Sequence, residues 1–168
     1  LHQDLIREAR TLSALQHPNI VTIYDVGQDD QGPFVVMEYL KGETLDDVIA
    51  RGSMTVSDFK EVVVQTLEGM IAAQELGLVH LDIKPANLLY RRDVVKVADL
   101  GIARADGFAS DKRVRGTLAY MPPEQRFGLE VDARADVFAL GRTLLELCTG
   151  YGETASETQW SWSPITLA

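Results

Sequence analysis

Along the chain the period of apolar positions changes several times, and each change marks a predicted element. Leu5, Ala9 and Leu12 recur at helical spacing with Ile6 and Leu15 beside them, which predicts an amphipathic helix over residues 2–16. His17-Pro18-Asn19 ends it, because a residue before proline is pushed out of the helical region. Ile20 to Val26 is rich in β-branched residues and predicts a strand. Turn-forming residues from Gly27 to Pro33 then lead into a second strand, Phe34 to Glu38, and the two form an antiparallel pair. Lys41-Gly42-Glu43 breaks the pattern, and a short helix follows from about Thr44 to Ala50. Thr55 with Asp58 three residues on is a capping box. It opens a long helix on which Phe59, Val63, Leu67, Met70 and Ile71 share a face, ending near Gly77. Strands at 88–90 and 94–98 flank Arg91-Arg92-Asp93, and residues 99–124 carry little periodicity. Val137, Leu140, Leu144 and Cys148 predict a buried helix from about Asp132 to Thr149. A small piece with strands thus precedes a mostly helical piece, joined by a thin linker near Leu40 to Glu43.

Composition narrows the classes. With 168 residues, 46% hydrophobic and 24% charged, the chain is ordinary globular material with room for one sizeable core. An acidic excess of 25 Asp and Glu over 16 Lys and Arg gives a net charge of −9, which repels nucleic acid and anionic membrane. Cys148 is the only cysteine, which excludes an internal disulfide and a cysteine-based metal cage. Lying in an apolar run with Leu144, Leu145 and Leu147, it reads as a buried structural thiol. No run reaches the roughly 20 apolar residues a membrane helix needs, and no signal peptide opens the chain, so a reducing, cytoplasmic setting fits. Leu1 stands in mid-helix with no initiator methionine, which predicts that a segment precedes it.

The chemistry concentrates in His80-Leu81-Asp82-Ile83-Lys84-Pro85-Ala86-Asn87. Phosphoryl transfer from a nucleotide needs few protein groups, because it is mainly positioning and charge neutralisation. It needs a carboxylate to orient a hydroxyl and accept its proton, a cation near the γ-phosphate, and oxygen ligands for Mg²⁺. Asp82, Lys84 and Asn87 supply these in order, and Asp99 of Asp99-Leu100-Gly101 adds the hard anionic oxygen that Mg²⁺ prefers. Gly101 lets the backbone turn sharply beside the metal. Alone, a surface Asp is a solvated charge and an Asp-x-Gly is a turn. The ordered set, followed by Gly116-Thr117 and Pro122-Pro123-Glu124, is a different matter.

On these motifs the chain resembles a protein kinase of the bacterial Ser/Thr type over roughly residues 1–149. The resemblance implies an α+β, bilobal kinase-like fold: a partial N-lobe over 1–39 with the C-helix and two strands, a hinge at 40–43, and a truncated, mainly helical C-lobe over 44–149. Residues 150–168 form a divergent tail. By the same resemblance Asp82 is the catalytic base, Lys84 contacts the γ-phosphate, and Asn87 and Asp99 hold Mg²⁺ or Mn²⁺. Thr117 faces the hydroxyl of a protein substrate, and ATP is the phosphate donor. Glu8 occupies the place of the ion-pairing C-helix Glu. Met37 and Glu38 to Leu40 look like the gatekeeper and hinge, with backbone groups of Glu38 and Leu40 for the adenine and Leu89 packed beneath it. Glu43 reaches the ribose or a basic substrate residue. Leu12, Ile23, His80 and Leu100 fall where the family stacks its regulatory spine, and Asp136 tethers the base.

The sequence also departs from the family. A glycine-rich loop and a strand with the phosphate-pairing Lys are absent. Neither Gly150-x-Gly152 nor Lys96 stands in for them, so these 168 residues alone are expected to be inactive. The Arg that pairs with the Glu of Pro-Pro-Glu is missing too, which leaves Glu124 without its usual partner. Leu81 replaces the Arg through which a phosphorylated loop is read, so activity is not expected to depend on phosphate at Ser110 or Thr117 in the usual way. Two rivals remain in view. A small-molecule phosphotransferase of kinase-like fold shares the His-x-Asp, Asn and Asp elements but usually lacks Lys84, Thr117 and Glu124. A pseudokinase that only binds partners would not need Asp82, Lys84, Asn87 and Asp99 intact.

Overall fold

Two threonines set the helical part of the chain. In the computed structural model, which describes residues 15–30, 32–52, 54–91, 93–100 and 118–149, Thr44 and Thr55 each cap a helix with a reciprocal box. Thr44 closes on Asp47 at the start of α1 (Leu45–Arg51), and Thr55 closes on Asp58 at the start of α2 (Val56–Glu75). In both, the threonine oxygen accepts the third backbone N–H while the carboxylate accepts the threonine's own. Gly52 and Gly77, at φ of 69° and 72°, let the chain leave these helices through the left-handed region.

Strands β1 (Ile23–Asp29) and β2 (Gly32–Met37) pair antiparallel, from Ile23 opposite Met37 to Asp29 opposite Gly32, with an irregularity between Ile23 and Asp25. The predicted pair is therefore present. Its first strand starts three residues later than the β-branched run indicated, because Asn19 to Val21 is taken up elsewhere: Ile20 makes a parallel bridge to Val97. A second sheet, of three strands, joins β3 (Glu43–Thr44), β4 (Leu88–Arg91) and β5 (Val94–Val97) in that order. The sequence pattern gave no hint of β3, which is two residues long and owes its pairing to β4.

Helix α2 lies against β5, and Gly69 permits the approach: a Cβ there would come within 2.9 Å of the Asn19 carbonyl oxygen. The buried positions of α2 are Val62, Thr66, Gly69 and Ala73. This corrects the predicted face, since Leu67 and Ile71 are exposed among the described residues and Phe59, Val63 and Met70 are half-buried. Small residues were needed where the helix meets the sheet, and bulk alone does not mark them. The short helix α3 (Pro123–Arg126) and α4 (Arg134–Thr149) follow. On α4, Ala135, Asp136, Ala139, Leu140 and Thr143 are buried. Val137 and Cys148 are exposed among the described residues, contrary to the expected buried helix face and buried thiol. Residues 2–14 of the predicted first helix, the tail from 150 and most of 99–124 lie outside the described residues, while Leu15 and Gln16, at the predicted helix end, are not helical.

Candidate functional site

Between α2 and a single 3-10 turn at Pro85–Asn87, the chain crosses the structure without regular hydrogen bonding. Its shape is imposed from outside. The carboxylate of Asp136, buried on α4, accepts the backbone N–H of His80 at 2.8 Å and of Leu81 at 2.7 Å. Two donors compensate the desolvation of that charge. They also hold Leu81 at φ of 64°, a left-handed value that costs a bulky residue about 1–3 kcal/mol. From the other side Gln125 of α3 donates to the Leu81 carbonyl at 3.0 Å.

The bend at Leu81 places His80 and Asp82 for their contacts. His80 Nε2 lies 2.8 Å from the Ala98 carbonyl, and its Nδ1 accepts the Asp82 N–H at 3.3 Å, the pattern of a ring carrying its proton on Nε2. Asn87 returns from the 3-10 turn to the same point: its Nδ2 donates to the Asp82 carbonyl at 2.8 Å and to Asp82 Oδ2 at 3.0 Å. Lys84 Nζ donates to Oδ2 at 2.6 Å, and the two side chains are 20% and 28% exposed. Oδ1 of Asp82 is buried and has no partner among the described residues. The exposed part of the carboxylate is therefore its Oδ2 edge.

Asp99 is brought to this cluster through Ala98. The Ala98 N–H donates to the Asn87 carbonyl at 2.9 Å while its own carbonyl meets His80, so both faces of one peptide are held by the loop. The next residue, Asp99, sits at φ of 57°. A non-glycine residue in that region beside a reactive loop is a characteristic place for stored backbone strain. Asp99 and Leu100 line a small pocket with Ile20, Val21, Ile23, Met37 and Val97. Met37 and Asp99 thus line the same pocket, and Ile23, His80 and Leu100 are all buried.

The segment expected to act as the hinge has a side-chain anchor that no motif announces. Lys96, set aside as no substitute for a phosphate-binding lysine, pairs with Glu38 at 2.9 Å, and the two side chains are 13% and 23% exposed. The Glu38 carboxylate also accepts the Thr22 N–H at 3.2 Å, while its backbone N–H donates to the Thr22 carbonyl at 2.8 Å. Partial burial pushes the Glu38 carboxyl upward, but the Lys96 ammonium and the Thr22 donor outweigh it and hold it below the ordinary range. The Leu40 carbonyl accepts the Gly42 N–H at 3.0 Å.

Glu43 lies on β3 next to Thr44, which pairs with half-buried Leu89, and its carboxylate bonds Arg51 at 2.5 Å. Asp46, not singled out from the sequence, stands in the first turn of α1. Partial burial and neighbouring Asp47 push its carboxyl up while Lys84 pulls it down. Glu124 is half-buried on α3 and its charge registers at Arg134. Glu8, Leu12, Gly101 and Thr117 lie outside the described residues. Among the described residues no three His, Cys, Asp or Glu side chains converge as a metal cage. The oxygens at hand are a carboxylate and an amide, the sparse set with which Mg²⁺ is held alongside substrate phosphates.

Comparison with known proteins bears on the fold and the family. The protein kinase domain family matches residues 1–161. The serine/threonine-protein kinase PknB of Mycobacterium leprae is 40% identical over 154 residues, which covers 86% of this chain and 25% of that protein. The probable serine/threonine-protein kinase PknB of Bifidobacterium longum is 39% identical over 160 residues, covering 86% of this chain and 23% of that one. Among solved structures, the PknI kinase domain of Mycobacterium tuberculosis superposes with a TM-score of 0.75 at 26% identity, over 97% of this chain and 61% of the other. The chain therefore spans about a quarter of the length of the curated relatives it matches.

Proposed function

The chain belongs to the protein kinase family, with bacterial serine/threonine kinases as relatives, and from that premise we propose that Asp82, Lys84, Asn87 and Asp99 move the γ-phosphate of ATP to hydroxyls of a protein substrate. One observation carries the reading. Asp82 is fixed through its backbone and by Lys84 and Asn87 on Oδ2, and its side chain stays 28% exposed at that same edge.

Lys84 Nζ bonds Oδ2. A polyphosphate carries more charge than one carboxylate and draws the ammonium toward itself. That leaves the exposed Oδ2 edge to orient a substrate hydroxyl and take its proton, a role worth about 10²–10⁴ in rate. Because Asn87 spends its Nδ2 on Asp82, its Oδ1 is the atom left for a metal, and Asp99 supplies the second oxygen. When bound with ATP, Mg²⁺ or Mn²⁺ neutralises phosphate charge. The adenine lies against the hinge between Met37 and Leu40, above Leu89, with Glu43 at the ribose edge. Thr117 and the strip after it take the peptide, and a cytoplasmic setting supplies the ATP. No described helix is long and apolar enough to cross a membrane.

The test is transfer of labelled γ-phosphate to casein by the full-length gene product, beside transfer to an aminoglycoside and to choline. Asp82→Asn is expected to lower transfer to casein at least 100-fold with nucleotide affinity kept. Undiminished transfer by that variant, or transfer to the small molecules alone, overturns the proposal. The 168 residues by themselves are expected to show little turnover, having no glycine-rich loop over the phosphates.

A further inference from the structure

Directly after Thr117 the chain runs Leu118-Ala119-Tyr120, and three side chains from two helices reach back to it. Arg142 of α4, half-buried, donates Nε–H to the Ala119 carbonyl at 3.1 Å. Arg126 of α3 donates from Nη2 to the Leu118 carbonyl. The Tyr120 hydroxyl donates to Glu146, one turn beyond Arg142 on α4. Gln125, beside Arg126, makes the bond to the Leu81 carbonyl described above. Two successive carbonyls are thus held by two guanidinium groups, and the same short helix that holds one of them also grips the catalytic loop.

The side chain of Leu81, next to Asp82, has no charge with which to hold a phosphate. A guanidinium bonded to a carbonyl is a charge-assisted contact, stronger than a neutral one. Where Arg142 is half-buried, solvent competes for it less than at exposed Arg126.

We propose that Arg142, assisted by Arg126, is a positioning residue that sets the backbone of the strip receiving the protein substrate, while Gln125 keeps that strip in register with Asp82. The proposal rests on the kinase reading above and deepens it: the strip is shaped by guanidinium-to-carbonyl bonds. The critical donor is the Nε–H, not the charge. Glutamine carries an N–H at the same number of bonds from the backbone and methionine carries none there, so the two neutral variants separate the hydrogen bond from the charge.

Steady-state kinetics of the full-length gene product on a peptide substrate test this. Arg142→Met is expected to raise KM for the peptide about tenfold with KM for ATP within about twofold, and Arg142→Gln to recover most of the loss. Amide exchange of 118–121 in the Met variant is expected to quicken about tenfold while residues 56–75 keep their protection. Equal behaviour of the Met and Gln variants overturns the inference. So does a matching rise of both KM values, or faster exchange throughout the helices, which marks a general loss of stability. A wild-type protein that transfers no phosphate removes the kinase reading, and the exchange of 118–121 then still decides whether Arg142 holds the strip.

Discussion

Replacing Asp136 by alanine removes one carboxylate and orphans two backbone donors at once. The His80 and Leu81 N–H groups bond it at 2.8 and 2.7 Å, and the side chain is buried at 6% exposure, so water does not replace it. A hydrogen bond to a charged acceptor contributes about 1.5–3 kcal/mol. Losing two, with their donors left unsatisfied, comes to roughly 3–5 kcal/mol once relaxation of the loop is allowed for. Leu81 relaxing from its left-handed φ returns part of the cost as released strain and also moves Asp82 away from Lys84 and Asn87. A domain has only about 5–15 kcal/mol to lose, so the variant sits near the edge of folding. Asp136→Asn keeps one acceptor but turns an amide N–H₂ toward the other donor, and it is expected to lose at least about 2 kcal/mol. Urea unfolding measures both, read as a shift in midpoint at constant slope. The folded fraction of the Asn variant is expected to lose phosphoryl transfer by more than its stability loss accounts for. A change below about 1 kcal/mol for Asp136→Ala would refute the claim that this carboxylate organises the loop.

Two further outcomes follow from the same contacts. Glu38 titrates below its ordinary value in the folded protein, so its pairing with Lys96 stabilises at neutral pH and that contribution fades as pH falls below about 4.5. Lys96→Met is expected to flatten that part of the stability profile, and an unchanged acid limb in urea titrations counts against the pair. Gly69→Ala gains about 1 kcal/mol of helix propensity but drives a Cβ to 2.9 Å from the Asn19 carbonyl, an overpacking that costs about 1–3 kcal/mol. A lowered melting temperature is expected, and a raised one refutes the close approach of α2 to β5.

Much of this arrangement could be read from residues alone, and the exceptions share a cause. The box at Thr55 and Asp58 is a local rule and was legible. The same rule applies at Thr44 and Asp47, where the adjoining turn residues drew attention to a break instead of a cap. Asp82, Lys84, Asn87 and Asp99 were legible as an ordered set, and the structure brings Lys84 and Asn87 within hydrogen-bond reach of Asp82. Less visible were several other side chains and peptides that act on the backbone. Ala98, Gln125, Arg126 and Arg142 work through main-chain carbonyls or N–H groups, which every residue has and no spacing announces. The seam of α2 failed for a related reason. Thr66 and Gly69 are buried because two backbones come close, whereas the bulkier Leu67 and Ile71 look toward solvent.

Strand β5 pairs along one side with β4, and at Val97 along the other with Asn19 and Ile20: the Val97 N–H donates to the Asn19 carbonyl at 2.8 Å and the Val21 N–H to the Val97 carbonyl at 2.9 Å. One residue is therefore stitched to both halves of the molecule. If the halves rock against each other to admit a nucleotide, displacement grows with distance from this shared seam. Asp99, two residues past it, stays nearly still while the hairpin tip at Asp29 swings widest. A carboxylate proposed to share a metal with Asn87 has been placed beside the axle rather than at the rim.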